Sequence, residues 1–168
     1  PEIIRCGEPL CIIGGHGEVF GQTLANQTID ELLDKHSLFG HEWLKVMNGP
    51  EEWERGILFE IINKAHKRGI NVAIHAFTET GISNAIESGA DTIEHAVIFN
   101  ENTIEKARIF ATKFIPTYHS AIVSINKDYL ASIGTSNDIP FLIQWYKFLN
   151  HNITLHIHTE LPILSGTD

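Results

Sequence analysis

The sequence predicts an α/β fold in which parallel strands are joined by crossover helices. Two observations carry this. A short pattern occurs twice, as Gly69-Ile70-Asn71-Val72-Ala73-Ile74-His75-Ala76 and as Gly89-Ala90-Asp91-Thr92-Ile93-Glu94-His95-Ala96. Each copy follows a helix-like segment, at 58–68 and 82–88. A Gly just past a helix is a stop signal, because it readily takes the left-handed conformation. Both copies therefore read helix, Gly, strand, with a His where the strand ends. Repeated β–α units of this length argue for parallel strands. In such sheets, binding and reacting side chains gather at the C-terminal ends of the strands. Two imidazoles delivered to one rim suggest a metal site.

The remaining elements follow in chain order. Residues 1–17 are loop-like around a β-prone run at 10–13, and end in Gly14-Gly15-His16-Gly17. Three glycines let the backbone turn sharply and approach a ligand closely. The run lacks the Gly-Lys-Ser/Thr of a phosphate-binding loop, and by spacing alone His16 is a surface loop histidine. Thr28 begins a helix, with Glu31 completing a capping box, that runs to about Lys35. Residues 43–47 (Trp-Leu-Lys-Val-Met) form the next strand, with Lys45 in its middle. A lysine inside a buried strand is costly unless its charge is neutralised or used; the alternative is an edge strand with Lys45 in water. Residues 51–68 form an amphipathic helix. His36, His41 and His66 fall in or beside helices and read as solvated polar residues. Beyond the doubled motif, 100–110 is a helix, 114–119 a strand and 121–138 irregular. A helix at 141–150 and a last strand at 162–164 follow. His156-Ile157-His158 has the spacing of a metal-binding pair, but it sits where a helix is expected to end.

Composition narrows the class. With 168 residues, 43% hydrophobic and 20% charged, the chain is an ordinary soluble globular sequence with enough length for a real core. A net charge of -9 argues against nucleic acid or an anionic membrane as partner. No apolar run approaches the ~20 residues of a membrane span, and no signal sequence is recognisable at the start. Cys6 and Cys11 read as reduced bystanders, and a cytoplasmic location is the default.

Taken together, these motifs resemble the amidohydrolase superfamily, specifically its prolidase-like and imidazolonepropionase-like members. The resemblance is carried, in order, by Gly14-Gly15-His16-Gly17, residues 43–47, Ala65-His66 with Gly69, the two His-Ala motifs, Pro116-Thr117 and Ser165-Gly166-Thr167-Asp168. It implies a partial TIM (β/α)8 barrel, strands three to eight, over residues 1–168, with strand three near 10–13 and strand eight near 162–164. It implies that Lys45 is the fourth-strand lysine that becomes carboxylated and bridges two divalent metals. His75 and His95 match the metal-binding histidines closing strands five and six. Asp168 matches the eighth-strand aspartate that binds metal and takes a proton from the hydrolytic water. Zinc suits these donors, with two ions in the intact enzyme. His16, Tyr118 and His119 look like substrate-side groups.

The implied function is metal-dependent hydrolysis of C–N bonds in a small molecule: a dipeptide, an N-acyl amino acid or a cyclic amide. A homo-oligomer is expected. The chain departs from the pattern in lacking the first-strand His-x-His, which His156 and His158 do not replace. It therefore reads as part of a larger enzyme, inactive by itself. The rival readings are a Schiff-base lyase on the same fold using Lys45 as nucleophile, and an inactive truncated fragment.

Overall fold

The computed structural model describes residues 4–49, 52–117 and Lys147. Its centre is a four-stranded parallel sheet of β1 (Trp43–Asn48), β2 (Asn71–Ala76), β3 (Thr92–His95) and β4 (Lys113–Ile115), in the order β1-β2-β3-β4. Helix α1 (Ile29–Leu38) precedes β1. Helices α2 (Arg55–His66), α3 (Glu79–Glu87) and α4 (Glu101–Phe110) each connect one strand to the next. This is the α/β architecture the repeated motif predicts.

Burial alternates along β1: Leu44, Val46 and Asn48 are buried, whereas Trp43, Lys45 and Met47 are half-buried on the other face. The register continues both faces across the sheet. Leu44 and Val46 pair with Val72 and Ile74, Ile74 with Ile93, and Ile93 with Phe114. These side chains share one core with Leu32, Leu58, Ile61, Ile82 and Ile104 from the helices. Each fully buried aliphatic chain contributes roughly 1.5–3 kcal/mol. Lys45 and Met47, paired with Ala73 and His75, occupy the opposite, inner face.

Helix ends follow local chemistry. Thr28 caps α1 by accepting the Glu31 N–H, and Glu31 accepts the Thr28 N–H at 2.7 Å, completing the expected capping box. The helix runs on to Leu38, past Lys35. Helix α2 starts at Arg55, later than 51. The Trp53 N–H donates to Asn48 Oδ1 (2.8 Å) and its indole N–H to the Met47 carbonyl (2.9 Å), tying this stretch back to the end of β1. Gly69 and Gly89 have φ of 71° and 94°. The next N–H closes each helix, Ile70 to the Ala65 carbonyl and Ala90 to that of Ala85. Asp91 joins the two motif copies. Its carboxylate accepts the Val72 N–H (2.7 Å) and meets His66 Nε2 (2.8 Å).

Two expectations are corrected. The run at 10–13 is not a strand. The pairing beside β1 lies earlier, with Cys6 bridging Trp43 and Leu10 bridging Val46, both parallel. Leu10 donates to the Lys45 carbonyl and accepts the Met47 N–H, both at 2.8 Å. The Gly15 N–H then closes a turn onto the Ile12 carbonyl, leaving Ile13 63% exposed. β1 is thus paired on both sides, and Lys45 is not on a free edge. His36 is not solvated but 2% exposed. It lies a helical turn beyond Leu32 and Leu33, on the buried face of α1. Apart from Lys147, the expected helix at 141–150 lies outside the described residues, as do the strand at 162–164, the irregular stretch at 121–138 and the His156/His158 pair. No helix among the described residues is long and apolar enough to cross a membrane.

Candidate active site

The C-terminal ends of β2 and β3 bring together residues that the register alone would separate. His75 pairs with Glu94, and His95 pairs with Ala76. Continued as regular strand, His95 would point to the helix layer and His75 to the inner face. The backbone departs from the strand at that point: φ is 71° at His95 and 43° at Ala96. Rotation about the His95 N–Cα bond turns its side chain back toward the rim. The two imidazoles then sit with centroids 4.6 Å apart and planes at 79°. Left-handed backbone at non-glycine residues costs on the order of 1–3 kcal/mol and persists where the surroundings over-determine it.

Those surroundings are visible. Thr117, itself at φ 36°, places its Oγ1 2.6 Å from His95 Nδ1. Phe77 stacks on His95 at 5.1 Å and meets His75 edge-on at 4.5 Å. From the far end of the described chain, His16 stacks on His75 at 4.8 Å. Its loop is fastened by the Gly14 N–H, which donates to Glu18 Oε2 at 2.8 Å, and by a 3-10 turn at Glu18–Phe20.

The electrostatics set the protonation states. His75 is 4% exposed, and its Nε2 is buried with no hydrogen-bond partner. Burial, reinforced by the charges of His95, Lys45 and His16, pushes its pKa down to about 2. His75 is therefore a neutral imidazole at physiological pH, as a metal ligand must be. Lys45 shares the inner face of β1 with Met47, the partner of His75 in the register, and its charge adds to the lowering of the His75 pKa. Cys6 and Cys11 are free, and burial raises the pKa of both thiols. They stay protonated, the form that binds metal poorly.

Of the residues singled out in the sequence, His75, His95 and His16 meet at this rim, and Lys45 lies on the inner face of β1 in register with Ala73. Tyr118, His119 and Asp168 lie outside the described residues. Phe77 and Thr117 were not expected to contact the site. The one signal for Phe77 is that it directly follows the first His-Ala pair. Among the described residues, no three His, Cys, Asp or Glu side chains are arranged to hold a metal ion. The donor set still fits one. It offers a neutral His75 with an orphaned buried nitrogen, a His95 whose Nδ1 meets Thr117, and Lys45 on the same inner face of the sheet.

The fold is that of the amidohydrolase and prolidase barrels. One solved structure with it is a prolidase complexed with N-methylphosphonate-L-proline, with a TM-score of 0.81 and 16% identity, covering 100% of this chain and 48% of that one. Another is a Xaa-Pro dipeptidase with bound methionine in the active site (TM-score 0.76, 16% identity, 97% of this chain, 47% of that one). A third is an amidohydrolase (TM-score 0.70, 21% identity, 89% and 39%). In sequence, the chain is similar to an uncharacterized protein of Mycobacterium tuberculosis, 25% identical over 127 residues, 70% of this chain. The match spans 34% of that relative, so the chain covers about a third of the curated relatives it matches. No known family model matches it.

Proposed function

We propose that this chain is part of a larger metal-dependent hydrolase that cleaves C–N bonds, in the manner of a prolidase. The observation that carries the reading is the unpartnered, buried Nε2 of His75 beside His95, at the C-terminal rim of a parallel sheet. An orphaned buried polar atom costs about 1–3 kcal/mol, and a divalent cation at this nitrogen offsets that cost.

In this reading His75 and His95 hold the metal, which is zinc by donor type. Lys45 joins them as a carbamate. As an ammonium it would repel the cation; deprotonated to the amine, it adds carbon dioxide, releases a proton and presents two oxygens that share one negative charge. Asp168 completes the set. A bound divalent metal supplies Lewis acidity that activates water and polarises the scissile carbonyl. Asp168 accepts the proton of the attacking water and returns it to the leaving nitrogen. His16, stacked on His75, lies on the substrate side, and Tyr118 and His119 are assigned the same role. The substrate class is a dipeptide, an N-acyl amino acid or a cyclic amide. The prolidase and the Xaa-Pro dipeptidase that share the fold favour the dipeptide.

The test is metal analysis of the intact enzyme, with hydrolysis of a panel of Xaa-Pro dipeptides and N-acyl amino acids. Activity lost to a chelator and restored by zinc is expected. A fully metal-loaded enzyme that cleaves no amide in the panel would overturn the reading.

A further inference from the structure

We propose that Thr117 is the positioning residue of His95. Its hydroxyl accepts the Nδ1 proton of His95, selects the tautomer whose lone pair is on Nε2, and keeps that ring at the rim. The tautomer's use in metal binding rests on the function proposed above; the orientation does not.

Three observations meet here. The first is contact: His95 Nδ1 and Thr117 Oγ1 are 2.6 Å apart, and both residues are 5% exposed. The second is register. His95 pairs with Ala76, so strand geometry alone directs its side chain to the helix layer. The third is backbone strain on both sides of the contact, with positive φ at His95, Ala96 and Thr117. A strained turn at the end of β3 is thus clamped by a hydrogen bond from just beyond β4. Phe77, stacked on the His95 ring, fixes its plane. The proposal commits to one of the two tautomers: with its proton on Nδ1, His95 donates to the Thr117 hydroxyl across the 2.6 Å contact and leaves the Nε2 lone pair for a cation. Outer partners of this kind set the tautomer of metal-binding histidines and tune their affinity.

The test uses histidine nitrogen NMR on the metal-free protein, followed by zinc titration. Wild type is expected to carry the His95 proton on Nδ1; a proton on Nε2 overturns the proposal without any variant. T117S, which keeps the hydroxyl, is expected to retain the wild-type signature. T117V is expected to shift the His95 resonances and tautomer, and to weaken zinc binding about 10–100-fold. A folded T117V with unchanged His95 resonances also overturns it. If wild type takes up no zinc but T117V still moves His95, the positioning role stands and the metal reading falls.

Discussion

The imidazole of His16 lies stacked on that of His75, with centroids 4.8 Å apart and planes 21° from parallel. The loop carrying His16 is therefore folded across the end of β2, on the same side as His95. One face of the His75 ring is covered by another imidazole, and its edges meet Phe77 and His95. This ring is packed like a core side chain while keeping a polar atom with nothing to bind.

Replacing His75 by Leu should separate the two. The metal-free variant is expected to be more stable than wild type, on the order of 1 kcal/mol, because an unsatisfied buried nitrogen is removed. It should bind no metal. Chemical denaturation with metal analysis reads both, and a clear loss of stability would show that His75 has a partner in solution.

Lys45 decides between two chemistries. If it is carboxylated, Lys45→Ala removes turnover, and bicarbonate restores activity to metal-reconstituted wild-type enzyme that has lost its carbamate. If it is a Schiff-base nucleophile, borohydride in the presence of substrate leaves a stable adduct on Lys45. The first outcome is expected; mass spectrometry of the borohydride-treated enzyme tells them apart.

Asp91 is expected to matter for stability and not for the site. Its carboxylate accepts the Val72 N–H and meets His66, so Asp91→Ala should cost about 1.5–3 kcal/mol. The tautomer of His95 should not change. Thermal melting and histidine NMR on one sample check both.

Acid should destabilise the metal-free protein early. Burial, with the charge of His41, lowers the pKa of His36, and burial with its charged neighbours lowers that of His75, both from 6.5. Below that pH the unfolded chain binds protons that the folded chain refuses, so stability falls as pH falls. It is complete above about 6.5. Below that it declines with a slope approaching about 1.4 kcal/mol per pH unit for each histidine. For His75 the decline ends only near its folded value of about 2. Denaturation curves at a series of pH values, for wild type and for His75→Leu, should show the shallower slope in the variant. Identical slopes would contradict the assignment.

The helix stops, the parallel strands and the placing of His75 and His95 at strand ends are legible because they rest on local rules. Gly after a helix and His after a β-prone run are short-range signals, and both copies of the motif carried them. The orientation of His95 was not legible. Alternation along β3 gives the wrong face, and the left-handed turn that corrects it is held by Thr117, on a later segment. His36 was misread because one histidine on an apolar helical stripe looks the same in water or in the core. The pairing beside β1 starts ahead of the β-prone run. Between its two bridged residues, Cys6 and Leu10, lie Gly7, Glu8 and Pro9, which lack the β-prone character of the run that follows them.

Strand order equal to chain order has a consequence for how the protein is made. Each strand's sheet partner is the one synthesised just before it, separated by a single helix and its connections. Each pairing closes a loop of one helix and its connections, the shortest crossover a parallel pair allows, which limits its entropic cost. As the polypeptide leaves the ribosome, β2 can dock on β1 and bury Leu58 and Ile61 before β3 exists. The sheet is able to grow in the direction of translation, one unit at a time, with each new edge exposed only until the next strand arrives.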